Sequence, residues 1–256
     1  EHLEGQDIIF RTPGMRPDLP QLTAAVRRGS VLTSEMEVFF QVCPCPIIGV
    51  TGSDGKTTTT TIIAELLKAA GETVYLGGNI GKPLLPDVKM MEPSDFAVVE
   101  LSSFQLMTMS LSPHIAVVTN LAPNHLDVHK SMEEYISAKK NIFLHQNRAD
   151  QVVLNADNAI TAAFAAEAPG SVTVFSRQGQ PSGDAVFFRN DAIWLNDGGG
   201  ERLILRREEI LLPGDHNVEN YMAAIAAVKE HVPVNVIRSF AAKFSGVEHR
   251  IELVRR

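Results

Sequence analysis

Gly49-Val50-Thr51-Gly52-Ser53-Asp54-Gly55-Lys56-Thr57-Thr58 follows the apolar pair Ile47-Ile48 and opens a long helical pattern. Glycines at 52 and 55 let successive backbone N–H groups converge on an anion. A helix that begins here turns its positive end toward the same point. Lys56 supplies a point charge for the outer phosphates, and Thr57 a hydroxyl for a magnesium ion. Ser53, Asp54 and Thr58 complete the candidate phosphate loop. The stretch departs from the strict GxxxxGK[ST] pattern, because Val50 stands where that pattern has Gly. A glycine-rich turn without a ligand is the alternative, and it leaves unexplained why Lys56 sits beside three hydroxyls.

Composition bounds the rest. The chain has 256 residues, 45% of them apolar, enough to bury a sizeable core in one large or two smaller domains. A formal charge of -7 argues against nonspecific nucleic-acid or anionic-membrane binding, which needs a basic face. No run approaches the ~18 apolar residues that span a bilayer, so no membrane insertion is expected. The chain starts at Glu1 with no charged-then-apolar leader, and the expectations are a cytoplasmic location and a missing true N-terminus. Cys43 and Cys45 flank Pro44; a disulfide at that spacing would be strained, and two thiolates alone do not make a zinc site. Free thiols are the expectation.

Short β-rich runs alternate with helical patterns, the signature of βα units. Strands are predicted at 7–10, 31–33, 47–50, 73–76, 96–101, 115–119, 152–155 and 172–175. Most are continuous apolar runs, as parallel strands covered on both faces should be. Helices are predicted at 19–28, 56–70, 132–145, 156–168, 217–231 and 234–244. Residues 184–207 carry three short runs and the turn Asn196-Asp197-Gly198-Gly199-Gly200, a small antiparallel meander. The expected fold is α/β: a P-loop-type, mostly parallel sheet flanked by helices, with that meander appended. The stiff Cys43-Pro44-Cys45-Pro46 reads as a linker and a domain boundary.

Further chemistry collects where strands are predicted to end, the edge at which open α/β sheets bind ligands. Glu100, closing the strand Phe96-Ala97-Val98-Val99, is placed to hold magnesium, although a solvated acid is the plainer reading. His125-Leu126-Asp127-Val128-His129 could be three metal ligands if extended, or a capped loop before the next helix. Lys139 lies on that helix, where a solvated charge is the ordinary expectation. Asn217 and Asn220 share a face at the start of an Ala-rich helix and could read a purine edge, though capping explains Asn217 equally well. Arg250, near the end of the chain, is by itself simply a basic residue.

Together GVTGSDGKTT, VELSSFQL, NLAPNHLD, YISAKKNIF, LPGDHNVEN and FSGVEHRIE resemble, in order and spacing, the Mur ligases. VELSSFQL and LPGDHNVEN are similar to the D-glutamate-adding branch. Departures are Val128, where the family often has Arg, and Ser53-Asp54 in place of the more usual Thr-Asn or Ser-Asn. The resemblance implies ATP-dependent joining of D-glutamate to UDP-N-acetylmuramoyl-L-alanine through an acyl phosphate, in peptidoglycan precursor synthesis. It implies ATP and two Mg2+ ions as cofactors, with Thr57, Glu100, His125 and a carbamylated Lys139 at the metals. Lys56, His125 and Lys139 then become catalytic, while Asn217, Asn220 and Arg250 join residues 52–58 around the nucleotide. Gly14 (in Thr12-Pro13-Gly14), Asn79, Ser102 and Gln105 match positions facing the nucleotide-sugar substrate. The implied organisation is a uridine-domain remnant at 1–44, a central ATP-binding domain at 45–249 and a hinge at 250–256, without the D-glutamate domain. A monomer is expected. Alternatives are another Mur ligase, a folylpolyglutamate synthase-like ligase, or an isolated nucleotide-binding module.

Overall fold

The strand that leads into the phosphate loop, Ile47–Thr51, is buried along its whole length. Its pleat sends Ile48 and Val50 into one apolar cluster and Ile47 into a second. The same division holds for Phe96 and Val98 against Ala97 and Val99, and for Val117 against Ala116 and Val118. A strand with apolar side chains on both faces needs a helical layer on each side. The computed structural model, which describes residues 3–122 and 129–246, has that architecture.

In chain order the elements are β1 (Ile8–Phe10), α1 (Pro20–Arg27), β2 (Val31–Thr33), α2 (Glu35–Val42), β3 (Ile47–Thr51), α3 (Lys56–Ala69), β4 (Val74–Gly78), β5 (Phe96–Glu100), α4 (Ser103–Leu106), β6 (Ile115–Val118), α5 (Met132–Lys140), β7 (Gln151–Asn155), α6 (Ala159–Ala163), β8 (Ser171–Ser176), β9 (Ala185–Arg189), β10 (Ala192–Asn196), β11 (Glu201–Arg206), α7 (Asp215–Val228) and α8 (Val234–Ala241). Nine strands form one sheet in the order β11-β10-β9-β8-β7-β6-β3-β5-β4. The sheet is parallel from β4 through β9, and β10 then pairs antiparallel with both β9 and β11. The expected meander is therefore present, and its first strand extends the parallel sheet.

Helices α3, α7 and α8 cover one face, with Ile62, Ile63, Leu66 and Leu67 of α3 packed against Tyr221 to Val228 of α7. The other face takes α2, α4 and α5 together with Phe143 and Phe164. Helix α2 is absent from the predicted helices, yet Ser34 caps it by accepting from Glu37 N at 3.2 Å. Its Met36, Phe39 and Phe40 join the core beneath the central sheet. The 3–42 segment is thus two parallel strands and two helices, with a small apolar cluster of its own around Ile9, Leu22 and Ala25. Arg11 fastens it to the central sheet: its buried guanidinium donates to Phe104 O and Thr108 Oγ1, each at 3.0 Å.

The predicted helices run shorter than expected, two of them by five residues or more. Helix α5 stops at Lys140, after which tight turns bring Ile142 and Phe143 into the core. Helix α6 begins three residues late, because Asn155 Oδ1 accepts from Asp157 N in a turn and Asn158 then caps Thr161 N.

Candidate functional site

Strand β3 lies between β5 and β6, so chain leaving its end meets the crevice where strand order reverses. The loop that follows is shaped by two glycines. Gly55, the cap of α3, has φ +76°, and a Cβ there would sit 2.3 Å from Asn220 Oδ1. A Cβ on Gly52 would lie 1.9 Å from Thr119 Oγ1. Side chains and backbone at the end of β6 clamp the loop from outside. Ser53 N donates to Asn120 O at 2.9 Å, Asp54 N to Asn120 Oδ1 at 2.9 Å, and Thr119 Oγ1 to Asp54 O at 2.6 Å. The N–H groups of Ser53 and Asp54 are therefore spent within the protein. The cradle that faces the crevice is the glycine-flanked start of α3, where Lys56 and Thr57 stand and Thr58 is half-buried in the first turn.

Lys56 arches back over the loop, its Nζ donating to Gly52 O at 3.0 Å and Ser53 O at 2.9 Å. Thr57 Oγ1 donates to Glu100 Oε2 at 2.6 Å. The other carboxylate oxygen of Glu100 accepts from Asn79 Nδ2 at 2.9 Å, and Asn79 N donates to Glu100 O at 2.8 Å. Glu100 is thus buried at the end of β5 and held from two sides, not a solvated acid.

Lys139 departs furthest from its ordinary expectation. It is 2% exposed, and its Nζ donates to Thr51 Oγ1 at 2.8 Å and to Gly52 O at 3.0 Å. Burial, reinforced by the charge of Lys56 and opposed by Glu100, lowers its pKa to about 7. The two lysines share Gly52 O as an acceptor, so the loop brings two amines to one carbonyl.

Gly52, Lys56, Glu100 and Lys139, with Asn79 and Ser102, face one cavity of about 290 Å³. Tyr135 lines it too and was not singled out in the sequence; its hydroxyl lies 3.1 Å from Ser53 Oγ. The four-residue spacing from Tyr135 to Lys139 on one helix was the available signal. Ser102 and Gln105 form a reciprocal cap on α4: Gln105 N donates to Ser102 Oγ at 3.2 Å and Ser102 N to Gln105 Oε1 at 2.9 Å. A second cavity, of about 440 Å³, opens between Thr12-Pro13 and Gly78, with Gln105 in its wall. Gly14 sits in the turn beside it, where Met15 N donates to Thr12 O at 3.0 Å.

Asn220 reaches the loop beside Gly55 from the first turns of α7, with Asn217 behind it, and both amides are engaged with protein. Asn217 Nδ2 donates to Pro213 O at 2.7 Å, Asn220 Nδ2 to Asn217 Oδ1 at 3.2 Å, and Thr59 Oγ1 to Asn220 Oδ1 at 3.2 Å. Of the His-x-Asp-x-His run, His125 and Asp127 lie outside the described residues, as does Arg250. His129 is buried beneath the cavity wall, its Nε2 2.8 Å from Ser103 Oγ. Among the described residues no three His, Cys, Asp or Glu side chains converge as a metal site. The oxygen donors that do stand together, Thr57 and Glu100, are of the hard kind that suits magnesium.

Residues 50–228 match the Mur ligase middle domain, a span that holds both the loop and the cavity. The chain belongs to the Mur ligase family. It is 56% identical over 255 residues to a UDP-N-acetylmuramoylalanine--D-glutamate ligase of Acetivibrio thermocellus, covering 100% of this chain and 54% of that protein. The relative of the same name from Ruminiclostridium cellulolyticum is 53% identical over 99% of this chain and 54% of its own length. The chain therefore spans about half the length of these curated relatives. Among solved structures, MurF from Acinetobacter baumannii superposes with a TM-score of 0.67 at 18% identity, over 97% of this chain and 62% of that one, a likeness of fold alone.

Proposed function

We propose that the protein containing this chain joins D-glutamate to the alanyl carboxylate of UDP-N-acetylmuramoyl-L-alanine, with cleavage of ATP to ADP and phosphate. The observation that carries this reading is the meeting of Lys56, Glu100 and Lys139 at one cavity beside a glycine-turned helix start. Relatives of about twice this length bear the name of that ligase. On this reading residues 1–44 belong to a uridine-nucleotide domain, 45–249 to the ATP-binding domain and 250–256 to a hinge.

The site suits ATP and magnesium. A Cβ at either Gly52 or Gly55 would collide with Thr119 or Asn220 behind the loop, so glycine lets the backbone lie against that wall and hold the turn that opens α3 toward a phosphate. Bound magnesium supplies charge neutralisation for the phosphoryl group in transfer. Thr57 and Glu100 would hold it, with His125 contributing from the β6–α5 connection. Lys56, by leaving Gly52 O and Ser53 O, offers its ammonium to the outer phosphates. The α3 N-terminus orients the same group through backbone N–H donors. Asn220 fixes α7 against the loop, with Asn217 behind it, and the two would set the adenine side; the resemblance adds Arg250 to the nucleotide residues. Asn79, Ser102, Gln105 and Gly14 border the two neighbouring cavities, where the carboxylate-bearing substrate would lie.

Lys139 cannot serve a cation site as an ammonium. Its lowered pKa leaves a large neutral fraction near neutrality, and a neutral amine adds CO2 to give a carbamate. A carbamate brings a negative charge and two hard oxygens to the place where the amine now binds Thr51 and Gly52.

The test is ligation by the full-length protein with UDP-N-acetylmuramoyl-L-alanine and a panel of D-glutamate, L-glutamate, L-lysine and diaminopimelate. Phosphate release and product mass are followed. Turnover with D-glutamate alone is expected; equal or better turnover with another amino acid assigns the protein to a different branch.

A further inference from the structure

Three sulfur atoms converge where the 3–42 segment passes into the central sheet. Cys43 and Cys45 flank Pro44 between α2 and β3, and both thiols are free. Their Sγ atoms are 3.5 Å apart. Met91 follows the 3-10 turn Leu85–Met90 and brings its Sδ to 4.0 Å from the same Cys43 Sγ. Cys45 and Met91 are buried, while Cys43 is only half-buried and gives solvent a way in. We infer that Cys43, Cys45 and Met91 form a binding site for one soft monovalent cation of the copper(I) class, held by two thiolates and a thioether.

The chemistry and the distances agree. Thiolate and thioether donors select copper(I) over harder divalent ions. At a metal–sulfur bond of about 2.3 Å, three sulfurs around one centre stand about 4 Å from each other. The two separations in the structure, 3.5 and 4.0 Å, already approximate two edges of that triangle. Zinc would need a fourth nitrogen, oxygen or sulfur ligand. Among the described residues no group of three His, Cys, Asp or Glu supplies one here. Core packing accounts for burying Cys45 and a gap-filling Met91. Cys43 packs half-buried against the same cluster, and its sulfur faces both of the others.

The protons are disposed for binding. The hydrogen bond from Cys45 holds the Cys43 thiol below its ordinary value. Cys45 is pushed up by that same bond to Cys43 and by burial, and it gives up its proton only when the metal arrives. The carboxylate of Asp95 acts on Cys45 from nearby and adds negative charge to the surroundings of a cation. Binding copper(I) forms three metal–sulfur bonds and releases the thiol protons to water, with no change of oxidation state. The occupied site would tie the peptide entering β3, the strand that carries the phosphate loop, to the turn that follows β4. It stands apart from the ligation chemistry and does not depend on that reading.

The reduced 256-residue chain is titrated without oxygen against copper(I) held by a chromophoric chelator, and the product is examined by X-ray absorption. One copper(I) per chain with a three-sulfur shell is expected. Cys43→Ser should weaken binding by roughly 100-fold, and Met91→Leu by about tenfold with the shell falling to two sulfurs. Metal-free thermal melts of each variant separate lost binding from lost fold. The proposal is overturned by no transfer from the chelator, by a Met91→Leu chain that keeps parental affinity and shell, or by one copper shared between two chains. Tighter binding of zinc(II) than of copper(I) would overturn it as well.

Discussion

Lys139 shows how far tertiary context can move one side chain. In sequence it is a lysine on a helix; in the structure it is buried against the loop, with its pKa lowered to about 7. The sign of the consequence follows from which state holds the proton. Between about 7 and the ordinary lysine value the unfolded chain binds a proton that the folded chain does not. Stability therefore rises with pH through that window, and it falls as pH drops toward 7 and the buried ammonium forms. Denaturant melts at pH 7 and pH 9 should show the parent gaining on Lys139→Met at the higher pH; parallel curves would mean that the amine is solvated. In the full-length protein, Lys139→Ala should abolish ligation, and a small carboxylic acid in the assay should partly restore it. Near-normal activity without the lysine would reduce it to a packing residue. At the loop, Lys56→Ala should weaken Mg-ATP binding at least about tenfold by calorimetry, since its Nζ already reaches both Gly52 O and Ser53 O at the turn that opens α3. Unchanged affinity would remove the phosphate-loop assignment.

At the scale of elements, α2 is the instructive one. Its signals were present in the chain: Ser34 followed three residues later by Glu37, then Met36, Phe39 and Phe40 at helical spacing. They were hidden by the neighbouring Cys-Pro-Cys-Pro, which reads as linker. The helix ends at that linker but is anchored beneath the central sheet by Phe39, which is fully buried. Phe39→Ala should cost about 3–5 kcal/mol in denaturant unfolding of the whole chain. Ser34→Ala, which removes only the cap, should cost about 1 kcal/mol. A Phe39→Ala chain whose central domain melts unchanged would show that the 3–42 segment is a separate unit. Helix α3 is the opposite case. Its glycine start, apolar stripe and terminal Gly71 were legible, because each depends on residues within a turn of one another.

For the molecule as a whole, the prediction concerns what this chain does apart from the rest of the protein proposed above. The chain spans about half of its curated relatives. It should bind Mg-ATP but not join D-glutamate, because nothing in it is assigned to position the attacking amine or shield it from water. Ligation by the purified 256-residue chain at a rate near that of the full-length protein would mean that the amino-acid site lies within it.

The sequence by itself determined the α/β class, the burial on both faces of the strand before the phosphate loop, and the antiparallel end of the sheet. These follow from period, glycine placement and continuous apolar runs, all of which act between near neighbours. Residue types at the candidate site were legible for the same reason. Their meeting was not. That Thr57 reaches Glu100, that Lys139 and Lys56 share one carbonyl, and that Asn220 backs Gly55 depend on segments 43 to 165 residues apart in number lying side by side. Tertiary structure alone also decided that Asn120 takes up the loop N–H groups, whereas the pairing of Ser102 with Gln105 is a local cap. It set the direction of the Lys139 pKa for the same physical reason, since desolvation and the charge of a distant lysine exist only once the sheet has brought them together.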